Sequence, residues 1–105
     1  MIRDTSLEAY QELKRTHKLN HDCTVLFDAI VNLKKRFNRW PTDKEILREC
    51  RRIDRSKQWE MSHVNGRRNN LISYGIVKKA NKIQCSITGY RVCTWEIIHP
   101  QLELS

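Results

Sequence analysis

The sequence predicts an α+β domain in which short helices are followed by a two-stranded β-hairpin. Apolar residues recur at helical spacing as far as Tyr74, and after Gly75 the sequence becomes rich in the β-branched and aromatic residues typical of strands. The chain has 105 residues, of which 39% are apolar, and this is enough for one modest hydrophobic core. We therefore expect a single domain over residues 1–105.

The first two helices are predicted from their caps and apolar stripes. A threonine–glutamate capping box precedes the first, which we expect over residues 6–17. The second is expected over residues 21–37, with Asn20 as its N-cap. Because its apolar stripe is broad, this second helix should form the centre of the core.

Two further helices follow a break at Pro41, since proline disfavours helix at the residue before it. A capping box that starts at Thr42 opens the third helix, which has four apolar residues on one face. The fourth is expected over residues 62–74, and Gly75 stands where a helix is commonly ended by glycine.

The hairpin is predicted from the change of period after the fourth helix. Residues 76–80 and 90–98 are the expected strands, joined by a long tip that begins at Asn81. We expect Trp95 and Ile97 to close the core from the sheet side.

The distribution of charge predicts a polyanionic partner. The formal net charge is +8 and the isoelectric point about 9.6, an imbalance that concerns partners rather than fold. No acidic residue occurs between Glu60 and Glu96, the interval of the fourth helix and the hairpin. A merely solvated surface usually mixes both signs of charge, so we favour contact with phosphates. The residues expected on the phosphate backbone are Lys78, Lys79, Lys82 and Arg91.

The fourth helix carries short or planar hydrogen-bonding side chains that suit recognition of base edges. Asparagine can pair with adenine and arginine with guanine in the major groove, and Gly66 leaves room for close approach. Arg67 and Asn69 are the expected base readers; the alternative is that this is only a weak helix, because asparagine and glycine are poor helix formers. The candidate residues are Ser62, His63, Asn65, Arg67, Asn69 and Asn70.

Other functional classes find little support in the sequence. It lacks a phosphate-binding glycine loop, a nucleophile elbow, an H-E-x-x-H motif and a suggestive carboxylate pair, so we expect no enzyme, cofactor or small-molecule substrate. It has no membrane-length apolar run and no signal-peptide core, which predicts a cytoplasmic protein without a membrane partner. Core thiols are favoured over a zinc site formed with histidines, because no C-x-x-C pair occurs among Cys23, Cys50, Cys85 and Cys93.

Four groups of residues have a familiar order and spacing. They are Ser6-Leu7-Glu8-Ala9-Tyr10; Pro41-Thr42-Asp43-Lys44-Glu45-Ile46; Trp59, Val64, Arg67, Asn69 and Leu71 followed by Gly75-Ile76-Val77; and Cys85-Ser86-Ile87-Thr88-Gly89-Tyr90-Arg91 with Trp95 beyond. Together they resemble small winged helix-turn-helix proteins encoded by phages and prophages. The resemblance implies a winged-helix core over residues 20–98, a tail over residues 99–105, duplex DNA as ligand and a regulatory role in transcription in the bacterial host cytoplasm. The sequence departs from that pattern at Arg68, where an apolar residue is expected.

The sequence leaves two alternatives to duplex DNA binding and does not determine the oligomeric state. A winged helix that docks onto another protein would be favoured if Trp40, Trp59 and Tyr90 were exposed together. RNA binding has no stacked-aromatic sheet motif to support it. A homodimer is possible, since many helix-turn-helix proteins bind DNA as dimers.

Overall fold

The computed structural model describes residues 20–98, so the helix expected over residues 6–17 and the tail over residues 99–105 lie outside the described residues. Three helices precede an antiparallel hairpin. The elements are α1 (His21–Phe37), α2 (Asp43–Ile53), α3 (Met61–Ser73), β1 (Val77–Gln84) and β2 (Arg91–Ile97). The predicted α+β order of helices followed by a hairpin is confirmed for this part of the chain.

The predicted helix ends are formed by the expected side chains. The Asn20 side chain accepts a hydrogen bond of 2.8 Å from the backbone N–H of Cys23 at the start of α1. Thr42 and Glu45 form both halves of the capping box at the start of α2. After α3 the chain turns at Gly75, whose φ of 76° lies in the left-handed region that favours glycine.

The core lies between the helices and one face of the hairpin. Leu26 and Ile30 of α1 are completely buried, as is Trp59 in the connection between α2 and α3. From the sheet side, Trp95 and Ile97 pack into the same cluster, as predicted. Because α1 contributes the most buried residues, it is the central helix of the fold.

The hairpin is longer in its strands and shorter in its tip than predicted. β1 continues to Gln84, so Asn81 lies within a strand and not in the tip. The reason is a β-bulge, because the register with β2 shifts between Lys79 and Lys82. The Thr94 hydroxyl donates a hydrogen bond of 2.6 Å to the Asn81 carbonyl and so satisfies part of the irregular backbone.

The segment between α1 and α2 adds a short extension to the sheet. Thr42 forms an antiparallel bridge with Thr94, and the backbone N–H of Trp95 donates a hydrogen bond of 3.0 Å to the Pro41 carbonyl. This segment therefore lies beside β2, on the edge opposite β1. The bridge ties the start of α2 to the middle of the hairpin.

Candidate nucleic-acid interface

The polar side chains of α3 separate into different rows, because an α-helix has 3.6 residues per turn. One row consists of Ser62, Asn65 and Asn69, and all three residues are exposed. Gly66 lies beside this row, and a Cβ atom placed on it would meet no atom within 4 Å. The exposed row is therefore polar, uncharged and open to close approach.

A second row of α3 makes contacts within the protein. His63 accepts a hydrogen bond of 3.1 Å at Nδ1 from the backbone N–H of Glu60, and its ring meets the ring of Trp59 edge to face. The Nε atom of Arg67 lies 3.6 Å from a carboxylate oxygen of Asp22 in α1. The six candidate residues therefore do not share one face.

Asn70 belongs to this second row. Burial raises the pKa of the Cys23 thiol in α1, while the hydrogen bond with the Asn70 side chain and the nearby Arg67 charge oppose that increase. Asn70 is thus turned toward α1, as Arg67 is.

Arg68 occupies a core position of α3, four residues after Val64. Its side chain is 12% exposed, and its guanidinium pairs with Asp43 of α2. The guanidinium also lies over the Trp95 ring, 4.1 Å from the ring centroid. Arg68 therefore does not extend to the surface but joins α3, α2 and the hairpin.

The hairpin carries cations that have no acidic partner in the described part of the chain. Lys78, Lys79, Lys82 and Arg91 are all exposed, and none forms an ion pair within residues 20–98. Many other arginines differ in this respect, because they pair with carboxylates: Arg36, Arg39, Arg51, Arg52, Arg67 and Arg68. The positive charge of the hairpin is thus available to a ligand.

Strand register divides these four cations between the two sheet faces. Directly opposed residues share a face, and Lys79 is opposite Trp95 whereas Lys82 is opposite Cys93. Arg91 has the same strand parity as Trp95 and so lies on that face too. This is the face on which Arg68 of α3 packs. Lys78 is opposite Glu96 and lies on the other face.

A groove of about 340 Å³ joins the exposed row of α3 to the hairpin. Asn65 lines it from α3, Lys44 from the start of α2, and Tyr90 and Cys93 from the hairpin. Tyr90 is 76% exposed. Sequence reasoning did not select Lys44, although a lysine in the first turn of a capped helix is a recognisable signal, and it considered Tyr90 only for the protein-docking alternative and within the motif that ends at Arg91.

The tip of the hairpin is fastened to α2 through Glu45, which is only 4% exposed. Arg39 donates hydrogen bonds of 2.9 and 2.6 Å to its two carboxylate oxygens, and the Ser86 hydroxyl donates one of 2.6 Å. Burial alone would raise the pKa of Glu45, but the hydrogen bonds from Arg39, Ser86 and the Thr42 backbone outweigh it and lower the pKa to about 2. The hairpin is therefore held against the helices by an ionised carboxylate.

Cys85 lies beside this attachment, with its sulfur 3.7 Å from the Thr42 hydroxyl. Burial would raise the pKa of the thiol, but hydrogen bonds from the backbone of Thr88 and Ile87 and from the Thr88 and Thr42 side chains lower it to about 7. All four cysteines within residues 20–98 are free, and three are buried.

The aromatic residues whose joint exposure would favour a protein-docking surface do not come together. Trp59 is completely buried. Trp40 lines a separate hollow of about 560 Å³ beside Arg39 and β1, whereas Tyr90 lines the groove next to α3. The predicted sign of a protein interface is thus not found among the described residues.

One cluster of three side chains within residues 20–98 has the spacing of metal ligands. Donor atoms of His21, Asp22 and Asp54 lie within 4.8 Å of one another. Asp22 is already paired with Lys57 and Arg67, and Asp54 accepts hydrogen bonds from Ser56 and Trp59. The carboxylates of Asp22 and Asp54 therefore have partners inside the protein.

None of the three helices described has both the length and the apolar character to cross a bilayer.

Comparison with known proteins found no matching family, no matching curated protein and no matching solved structure.

Proposed function

We propose that this domain is a winged helix-turn-helix that binds duplex DNA, probing the major groove with α3 and contacting the adjacent backbone with the hairpin. The bridge between Thr42 and Thr94 supports the fold, because it adds a third strand-like segment between α1 and α2 to the hairpin. The exposed side of α3 supports its role as the recognition helix, since helices that enter the groove must present polar groups without obstruction.

The observation that carries the proposal is the unpaired positive charge on the hairpin face against which Arg68 of α3 packs. Lys79, Lys82 and Arg91 share one hairpin face and have no carboxylate partner within residues 20–98. Phosphates neutralised by such cations release their counterions, and this release drives binding at low salt. Lys44 adds a further exposed cation at the mouth of the groove.

Within this proposal the candidate residues of α3 have two different roles. Ser62, Asn65 and Asn69 face outward and contact base edges or phosphates. His63, Arg67 and Asn70 secure the helix against its own first turn and against α1, which keeps the exposed row in position. This assignment replaces the expectation that Arg67 reads a base, because its guanidinium is directed to Asp22.

The test is binding-site selection from random duplexes, followed by titration of the selected site at several salt concentrations. The logarithm of affinity should fall steeply with the logarithm of salt, and the slope should become shallower by about 1 in each of Lys82→Ala and Arg91→Ala. Arg48→Ala is the matched control, because Arg48 is an exposed cation that lines a different hollow, beside Phe37 and Ile87.

Two results would contradict the proposal. Binding that is indifferent to salt, or absent from every duplex, excludes phosphate-driven recognition. Equal slopes for Arg48→Ala and the hairpin variants would mean that the hairpin face makes no particular contact.

A further inference from the structure

The side-chain amide of Asn65 has a fixed orientation in the exposed row of α3. Arg68 Nη1 donates a hydrogen bond of 3.0 Å to Asn65 Oδ1. A guanidinium has only donors and no acceptor, so the amide oxygen must be the atom that faces it. The NH₂ group of Asn65 consequently faces away from Arg68, and Asn65 itself lines the groove next to the hairpin.

Arg68, which imposes this orientation, is itself held by two contacts. The Arg68 guanidinium pairs with Asp43 and lies 4.1 Å from the centroid of the Trp95 ring. Its Nε is buried and has no hydrogen-bond partner among the described residues. A side chain that is 12% exposed and enclosed in this way cannot swing toward solvent without breaking the Asp43 pair. Arg68 is thus a rigid donor beneath Asn65.

We infer that Arg68 is a specificity-determining positioning residue, which holds Asn65 as a hydrogen-bond donor toward the DNA. The inference rests on the proposed DNA binding and deepens it. Recognition of adenine by asparagine needs the amide oxygen for N6 and the amide nitrogen for N7. The hydrogen bond from Arg68 turns the amide oxygen toward the guanidinium and leaves the NH₂ group on the other side, so Asn65 instead prefers guanine, whose N7 and O6 are both acceptors.

Asn69 differs from Asn65 although both lie in the exposed row. Its side chain has no hydrogen-bond partner within residues 20–98, so its amide is free to present both oxygen and nitrogen. The two asparagines therefore have different preferences in spite of their identical chemistry: Asn65 for guanine, and Asn69 for adenine or any base that suits a rotating amide.

The experiment compares the sites selected from random duplexes by the full chain and by two matched variants. Asn65→Asp replaces the NH₂ group with an oxygen while keeping an acceptor for Arg68, so the position it contacts should switch from guanine to a base with a donor, cytosine or adenine. Asn69→Asp adds the same charge to the same row. It should weaken binding without changing the base that is selected at the position contacted by Asn65. The position whose base changes only in Asn65→Asp is the one that Asn65 contacts.

At that position the unaltered chain should bind a guanine site roughly tenfold more tightly than an adenine site. In Arg68→Gln the Asn65 amide can turn, because glutamine both donates and accepts. The preference for guanine over adenine should then fall to about twofold.

The side-chain ¹⁵N resonance of Asn65, measured without DNA, should shift in Arg68→Gln and stay unchanged in Asn69→Asp. Thermal unfolding of each variant identifies loss of fold, and the exposed Asn65→Asp variant still tests the inference if Arg68→Gln unfolds.

The outcomes separate this inference from the function on which it rests. Selection of no site by the unaltered chain overturns both. Selection of a site with adenine at the Asn65 position, or an Asn65 resonance indifferent to Arg68→Gln, overturns the role of Arg68 and leaves DNA binding intact.

Discussion

Replacing Glu45 with glutamine should destabilise the domain by about 3 kcal/mol at pH 7. The carboxylate is buried and accepts hydrogen bonds from Arg39, Ser86 and the Thr42 backbone. These contacts hold its pKa at about 2 instead of the ordinary 4.5. Each unit by which the pKa is lowered corresponds to roughly 1.4 kcal/mol of unfolding free energy. Glutamine imitates the protonated acid, so it forfeits this stabilisation.

The pH dependence follows from the direction of the pKa. Because the folded-state pKa of Glu45 is lowered, the carboxylate stabilises the fold above about pH 4.5 and ceases to do so as the pH falls toward 2. The difference in unfolding free energy between the original chain and Glu45→Gln should therefore shrink by about 2 kcal/mol between pH 7 and pH 3.

Urea unfolding followed by tryptophan fluorescence measures this difference at each pH, since Trp59 is buried in the folded state. Glu60→Gln is the control: Glu60 is 54% exposed and lies 3.9 Å from Arg51, so its replacement should cost less than about 1 kcal/mol. A cost below about 1 kcal/mol for Glu45→Gln, or a difference that does not change with pH, would refute the reasoning.

Three further predictions concern other parts of the fold. Arg67→Ala should cost less than about 1 kcal/mol of stability in urea unfolding, because its pair with Asp22 is partly exposed; it should also leave the selected bases unchanged, and an altered base would restore Arg67 as a base reader. Trp59→Ala should cost about 3–5 kcal/mol, measured by urea unfolding followed by circular dichroism because this variant lacks the fluorescent Trp59, and a cost under about 2 would contradict its place in the core. Gly75→Ala should lower stability by about 1–2 kcal/mol through its φ of 76° alone, since no atom would meet the added Cβ within 4 Å; an unchanged melting temperature would argue against that conformation.

Local features of the fold were predictable because they depend on residues close together in the sequence. The caps at Asn20 and Thr42 each need a hydrogen bond that spans three residues. The glycine at the end of α3 depends on one backbone angle. The bulge in β1 was missed because it depends on how β1 pairs with β2. The alternation of residues along β1 alone does not show which residues of β2 lie opposite.

The candidate interface was predictable in composition but not in arrangement. The acid-free interval after Glu60 coincides with α3 and the hairpin, and the hairpin lysines within it are exposed. Arg67 and Arg68 are adjacent in the sequence and equally charged, yet one pairs with Asp22 of α1 and the other with Asp43 of α2. Only the packing of three helices brings those carboxylates to α3.

The sequence by itself determined where the helices begin and end and where positive charge accumulates, because caps, periodicity and composition act over a few residues. The tertiary structure decided which of those charges remain free, since ion pairs such as Arg67–Asp22 and Arg68–Asp43 join residues that are far apart in the chain. It also decided the orientation of Asn65, which depends on an arginine held between α2 and the hairpin. Long-range contacts of this kind exist only once the core has brought the elements together.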